Sequence, residues 1–110
     1  LVAVVDAGRL VNPAVARQQV EGGLIFGLAA ATGATTDYAG GVATARKLGQ
    51  LGLPRLSQSP EIIVEFVDSD RDPGGLGEIG VPVVAPAIAN AIAAATGRRI
   101  RRLPLSAMPL

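Results

Sequence analysis

Three glycines set inside an otherwise apolar helical repeat constrain this chain more than any other feature. Asn12-Pro13 supplies an N-cap residue followed by proline at the first helical position. From Ala16, the residues Val20, Leu24, Leu28 and Ala31 recur at about every fourth position. The spacing therefore predicts a helix running to about Ala31 with one apolar face. Gly22, Gly23 and Gly27 fall inside it. Each interior glycine costs on the order of 1 kcal/mol relative to alanine, so three of them imply that another backbone or a ligand comes very close to this helix.

Around that helix the chain reads as alternating strands and helices. Residues 1–8 form a β-branched strand ending at the turn Asp6-Ala7-Gly8. Residues 32–59 carry little signal: Tyr38-Ala39-Gly40-Gly41 reads as a turn between short strands, and residues 45–53 fit either a short helix or an irregular loop before Pro54. The run EIIVEFV over residues 61–67 is a strand with Ile62, Val64 and Phe66 on its core side. Residues 68–80 are a loop, and Val81 to Ala85 an extended connector stiffened by Pro82. Pro86 opens a second helix through about Thr96, with Ile88 and Ile92 buried and Gly97 as its cap. Ile100 to Leu103 forms a last strand that Pro104 ends. The expected fold is α+β, a two-layer sandwich with helices packed on one face of a mixed β-sheet, in β-α-β-α-β order. Residues 1–110 make one domain.

A chain of 110 residues lies near the size where burial only just outweighs chain entropy, so this one should lean on a neighbour. Its first residues are already in a strand pattern, which reads as the cut end of something longer. Hydrophobic residues make up 49% of the chain, yet no run approaches the roughly 20 apolar residues of a membrane span, and a soluble protein is expected. With no Cys and no His, thiolate chemistry, disulfides and the commonest base and metal ligand are all absent. Catalysis would rest on carboxylates or a borrowed cofactor, and no side chain is assigned to a metal. Arg98, Arg99, Arg101 and Arg102 follow a body holding six basic and nine acidic residues. Their alternation suits a charged, half-exposed edge strand. Nucleic acid is not an expected partner at a net charge of +1 with three aromatic residues in all.

Two motifs are decoys. Gly75, Gly77 and Gly80 have the spacing of a dinucleotide-binding fingerprint, but the segment 81–86 should separate them from the helix and no acid follows about 20 positions on. Asp68, Asp70 and Asp72 alternate as in a calcium loop, yet Pro73 replaces the required glycine and Ile79 the closing glutamate. Glu78 is the residue of interest. A carboxylate on a glycine-rich loop, uncrowded by neighbours, suits a general base that must reach a bound reactant. It equally suits a loop glutamate that caps a helix or faces water, and spacing leaves both open.

The stretch GLGEIGVPVVAPAIANAIAAATGRRIRRLPL, from Gly75, resembles the C-terminal end of the molybdopterin-binding large subunit of the xanthine dehydrogenase and aldehyde oxidase family, nearest to its isoquinoline 1-oxidoreductase beta-subunit branch. VVDAGRLVNPAVARQQVEGGLIFGL, over residues 4–28, looks like an earlier segment of the same subunit. In that family a glutamate acts as base beside a molybdenum centre bearing oxo, sulfido and hydroxyl ligands on a pterin dithiolene. The resemblance places Glu78 at that position and Gln19 at a glutamine that hydrogen-bonds the cofactor. It makes Gly22, Gly23 and Gly77 positions of close approach to cofactor or substrate. Burial without a cationic partner would then raise the Glu78 pKa toward the working range. Val83 stands where related sequences often carry proline, and the second helix has alanine where phenylalanine is common; both touch substrate fit rather than reaction type.

What the resemblance implies is oxidative hydroxylation of an N-heterocycle or aldehyde, using molybdenum–molybdopterin shared with the rest of the large subunit. Iron–sulfur clusters would sit on a partner subunit, and the fragment alone should be inactive. Bacterial cytoplasm and periplasm are both compatible locations. The rival expectation is a non-catalytic structural or partner-binding domain that keeps the fold without the metal.

Overall fold

The computed structural model describes residues 1–105, so the last five positions of the domain expected over 1–110 lie outside the described residues. In chain order, β1 (Val2–Val5) leads to α1 (Pro13–Thr32), a small hairpin of β2 (Tyr38–Ala39) and β3 (Val42–Ala43), then β4 (Ile63–Phe66) and α2 (Val81–Thr96). β1 and β4 pair in parallel, with Val2 opposite Ile63 and Val5 opposite Phe66. β2 and β3 form a separate antiparallel pair. Parallel neighbours need a crossover connection, and α1 lies on it. The fold is α+β as expected, with α1 and α2 packed on each other and α1 on the inner side of the parallel pair.

The local signals around α1 act as the sequence demands. Asn12 accepts a hydrogen bond from the Val15 N–H at 3.1 Å, and Pro13 fills the first turn without leaving a donor unpaired. Val20, Leu24 and Ala31 are buried. Val20 and Leu24 meet Val5, Ala7, Val64 and Val84 in the core. On β4 the fully buried Val64 is flanked by half-buried Ile62 and Phe66, while Glu65 faces out. Arg17 ties α1 to this strand: its guanidinium donates to the Val64 carbonyl and lies 5.8 Å from the centroid of the Phe66 ring. The tight link between β2 and β3 is made by Gly40 and Gly41, whose φ of +57° and +77° suit a two-residue hairpin turn. Residues 48–50 and 56–58 form single 3-10 turns.

Two expectations fail in the C-terminal half. Val81 to Ala85 is not an extended connector, because α2 begins at Val81 and carries Pro86 inside it. Pro82 falls in the first turn, where no N–H is needed. An interior proline costs about 3 kcal/mol, and tertiary packing offsets it. Val84 is 1% exposed in the core, and the two helices cross almost backbone to backbone. A Cβ at Gly27 would lie 2.5 Å from the Val81 carbonyl oxygen and 2.8 Å from Val84 Cγ2. The buried face of α2 is thus centred on Val84, one and two turns before the half-buried Ile88 and Ile92. Gly97 does cap the helix, at φ +73°. The second failure is the strand over Ile100 to Leu103, which does not form. A strand exists through its ladder of hydrogen bonds, and no described residue pairs with this segment.

The chain exposes 7779 Å², against about 5,700 Å² for a compact monomer of its 11.1 kDa mass. Large apolar side chains are among the exposed residues. Val2 and Val4, on the outer side of the parallel pair, are 71% and 70% exposed.

Candidate cofactor site

Where the middle of α1 passes the start of α2, a groove of about 620 Å³ opens. Gln19, Gly22, Gly23 and Phe26 line it from α1, and Gly77, Glu78, Val81 and Pro82 from the opposite side. The Gln19 side chain donates from Nε2 to the Gly77 carbonyl at 3.1 Å, which pins the loop to a helix 58 positions earlier in the sequence. The Val81 N–H donates to the Glu78 carbonyl at 3.0 Å. Glu78 is therefore held through its main chain by the first turn of α2, and its carboxylate forms no salt bridge among the described residues.

All five site residues expected from sequence line this one groove. They do different things there. Gly23 is buried against Gly80, 3.5 Å from where its Cβ would stand, so it belongs to the helix crossing. Gly22 is open, since a Cβ there would meet nothing within 4 Å. Gln18, next to Gln19 in sequence, is exposed and does not line the groove. The expected burial of Glu78 is not supplied by this chain: the residue is exposed, because the groove has walls on two sides only. Sequence reasoning missed Phe26, Val81 and Pro82. Phe26 was findable, standing seven residues after Gln19 and four after Gly22 and hence on the same helix face; Val81 and Pro82 were hidden by the misplaced start of α2.

The helix starts directly after Gly80, contrary to the first ground for setting aside the dinucleotide fingerprint. The motif fails for a different reason. β4 ends at Phe66, nine residues before Gly75, so no glycine makes the tight strand-to-helix turn that brings pyrophosphate to a helix end. Among the described residues no three His, Cys, Asp or Glu side chains gather as metal ligands, and Asp68, Asp70 and Asp72 form no such group. The acidic loop is tied down by its neighbour instead. Arg71 pairs with Asp6 at the end of β1. The hydrogen bond from Arg71, followed by one from the Gly8 N–H, holds the Asp6 carboxyl below the usual carboxylate range.

An amide, a bare stretch of helix, an aromatic ring and one carboxylate thus line one open groove. Residues 1–60 match the molybdopterin cofactor-binding domain family, and the chain belongs to that family. It is 40% identical over 96% of its length to a membrane-bound aldehyde dehydrogenase (pyrroloquinoline-quinone) of Gluconacetobacter polyoxogenes, of which it covers 14%. It is 37% identical over 92% of its length to the isoquinoline 1-oxidoreductase subunit beta of Brevundimonas diminuta, of which it covers 13%. The fold superposes on the reconstituted CO dehydrogenase of Oligotropha carboxidovorans with a TM-score of 0.71 at 23% identity, over 90% of this chain and 14% of that one. The chain thus spans about one seventh of the length of the curated relatives it matches. No helix of the described residues is long and apolar enough to cross a membrane.

Proposed function

We propose that this single-domain chain is the C-terminal portion of a molybdenum hydroxylase large subunit, in which Glu78 is the catalytic base and Gln19, Gly22, Gly23 and Gly77 form part of the molybdopterin site. The observation that carries this reading is the Gln19–Gly77 hydrogen bond, which draws one face of α1 and the loop bearing Glu78 onto a common groove. The donor set suits a pterin. Gln19 offers an amide that can accept as well as donate, and the floor at Gly22 is a space that a Cβ would fill. When bound, a molybdenum–pterin group supplies the two-electron redox chemistry of hydroxylation.

The residues of this chain contribute position and a proton acceptor. Gln19 orients the loop and the cofactor edge, Gly22 and Gly77 leave room for ligand to reach the backbone, and a carboxylate oxygen of Glu78 takes the proton released as the substrate carbon is hydroxylated. Having no salt bridge among the described residues, that carboxylate is available to do so. The remainder of the large subunit would close the groove, cover Val2 and Val4, and complete the pocket for an N-heterocycle or aldehyde. An iron–sulfur subunit would take the electrons, and these 110 residues alone would not turn over.

In the whole enzyme, Glu78→Gln should leave molybdenum and pterin bound while hydroxylation is lost. Normal turnover in that variant refutes the base. Wild-type protein lacking both molybdenum and pterin would favour the structural-domain alternative.

A further inference from the structure

We infer that Phe26, with the glycine pair one turn before it, forms a slot that clamps a planar N-heteroaromatic ring, Phe26 being the stacking wall. The inference rests on the groove being a cofactor and substrate site. Long side chains on a helix lean back over the preceding turn, onto the residues three and four positions earlier. For Phe26 those residues are Gly23 and Gly22, so no side chain of its own helix lies beneath the ring. Phe26 is 68% exposed although it lines the groove.

Gln19 stands on the same face seven residues earlier, about 10 Å along the helix axis. Between Gln19 and Phe26 the floor is bare backbone at Gly22. Stacked aromatic rings place their centroids about 4.5–7 Å apart, so a ring stacked on Phe26 falls over Gly22 with one edge toward the Gln19 amide. The Nε2 of that amide donates one hydrogen to Gly77, which leaves Oε1 to accept from a ring N–H and the second Nε2 hydrogen to donate to a pyridine-type ring nitrogen. Val81 and Pro82 give the far side apolar surface, and Glu78 lines the same groove. A flat ligand with two apolar faces and a ring-nitrogen edge, N–H or lone pair, satisfies every wall; a flexible aliphatic chain would leave the Gln19 amide unanswered. Both the pterin of the cofactor and a heterocyclic substrate have that chemistry.

Three variants of the whole holoenzyme, Phe26→Leu, Phe26→Trp and Gly22→Ala, test the slot with two readouts. These are the pterin retained per protein, measured as fluorescence after oxidative release, and the Kd for isoquinoline as probe. Phe26→Leu should lower pterin retention or raise the isoquinoline Kd, either by about tenfold, and Phe26→Trp should restore whichever moved. Gly22→Ala should impair the same readout, since it fills the floor without touching the fold. A change confined to pterin assigns the ring to the cofactor, and one confined to isoquinoline assigns it to substrate. If both readouts are unmoved in Phe26→Leu, or if Phe26→Trp is as impaired as Phe26→Leu, the slot is rejected. Glu78→Gln, measured alongside, should retain both readouts. Should it turn over normally, the base assignment fails while the stacking result still stands.

Discussion

The same substitution at two positions of α1 should change stability in opposite directions. Gly22 and Gly27 are both helical glycines, and alanine gains up to about 1 kcal/mol over glycine in a helix interior. At Gly22 the added methyl meets nothing within 4 Å, so that gain is realised in full. At Gly27 it would stand 2.5 Å from the Val81 carbonyl oxygen and 2.8 Å from Val84 Cγ2. The oxygen belongs to the first turn of α2, so relief requires the whole helix to shift outward by the better part of an ångström. Overpacking of this kind costs about 1–3 kcal/mol, and here it also loosens Val84, one of the most buried side chains of the core. Gly22→Ala should therefore raise the urea midpoint of the protein slightly, whereas Gly27→Ala lowers it; the helix gain is common to both, so the overpacking cost of about 1–3 kcal/mol separates the variants. Hydrogen exchange across residues 81–88 should speed up only in Gly27→Ala. Equal stability of the two variants, or a less stable Gly22→Ala, would mean that the helix crossing is not the close contact described above.

Three further outcomes follow from named contacts. Asn12→Ala should cost about 1 kcal/mol by leaving the start of α1 uncapped, and Asn12→Asp should recover most of it in thermal melts. The depressed Asp6 pKa means that the Arg71 pair contributes stability above the usual carboxylate value of 3.8, which is lost as pH falls through the lower folded value. Asp6→Asn should flatten that acid limb in an unfolding titration. Because the pair is exposed, high salt should shrink the difference between the two proteins. Gln19→Leu should speed amide exchange in residues 75–79 by about fivefold, the equivalent of one net hydrogen bond, with little change in the global midpoint.

Much of this molecule is written in short stretches of its sequence. Asn12-Pro13 starts α1, a four-residue repeat of apolar side chains carries it, Gly40-Gly41 turns the hairpin, Val64 with its alternate neighbours marks the inner side of β4, and Gly97 ends α2. Each is a device whose physics closes within a few residues, through a cap, a period or an allowed φ. Other features needed the third dimension. Pro82 and Pro86 argue locally against a helix, and α2 forms from Val81 because Gly23 and Gly27 on α1 and Gly80 at the cap of α2 let two backbones meet and bury Val84. Residues 100–103 have the alternation of a strand but no partner edge among the described residues. The groove itself is the clearest case. Residue type made Glu78 and Gln19 candidates, yet their sharing of one site depends on a hydrogen bond across 58 positions and on how near two helices can approach, which is fixed by packing and not by any local pattern.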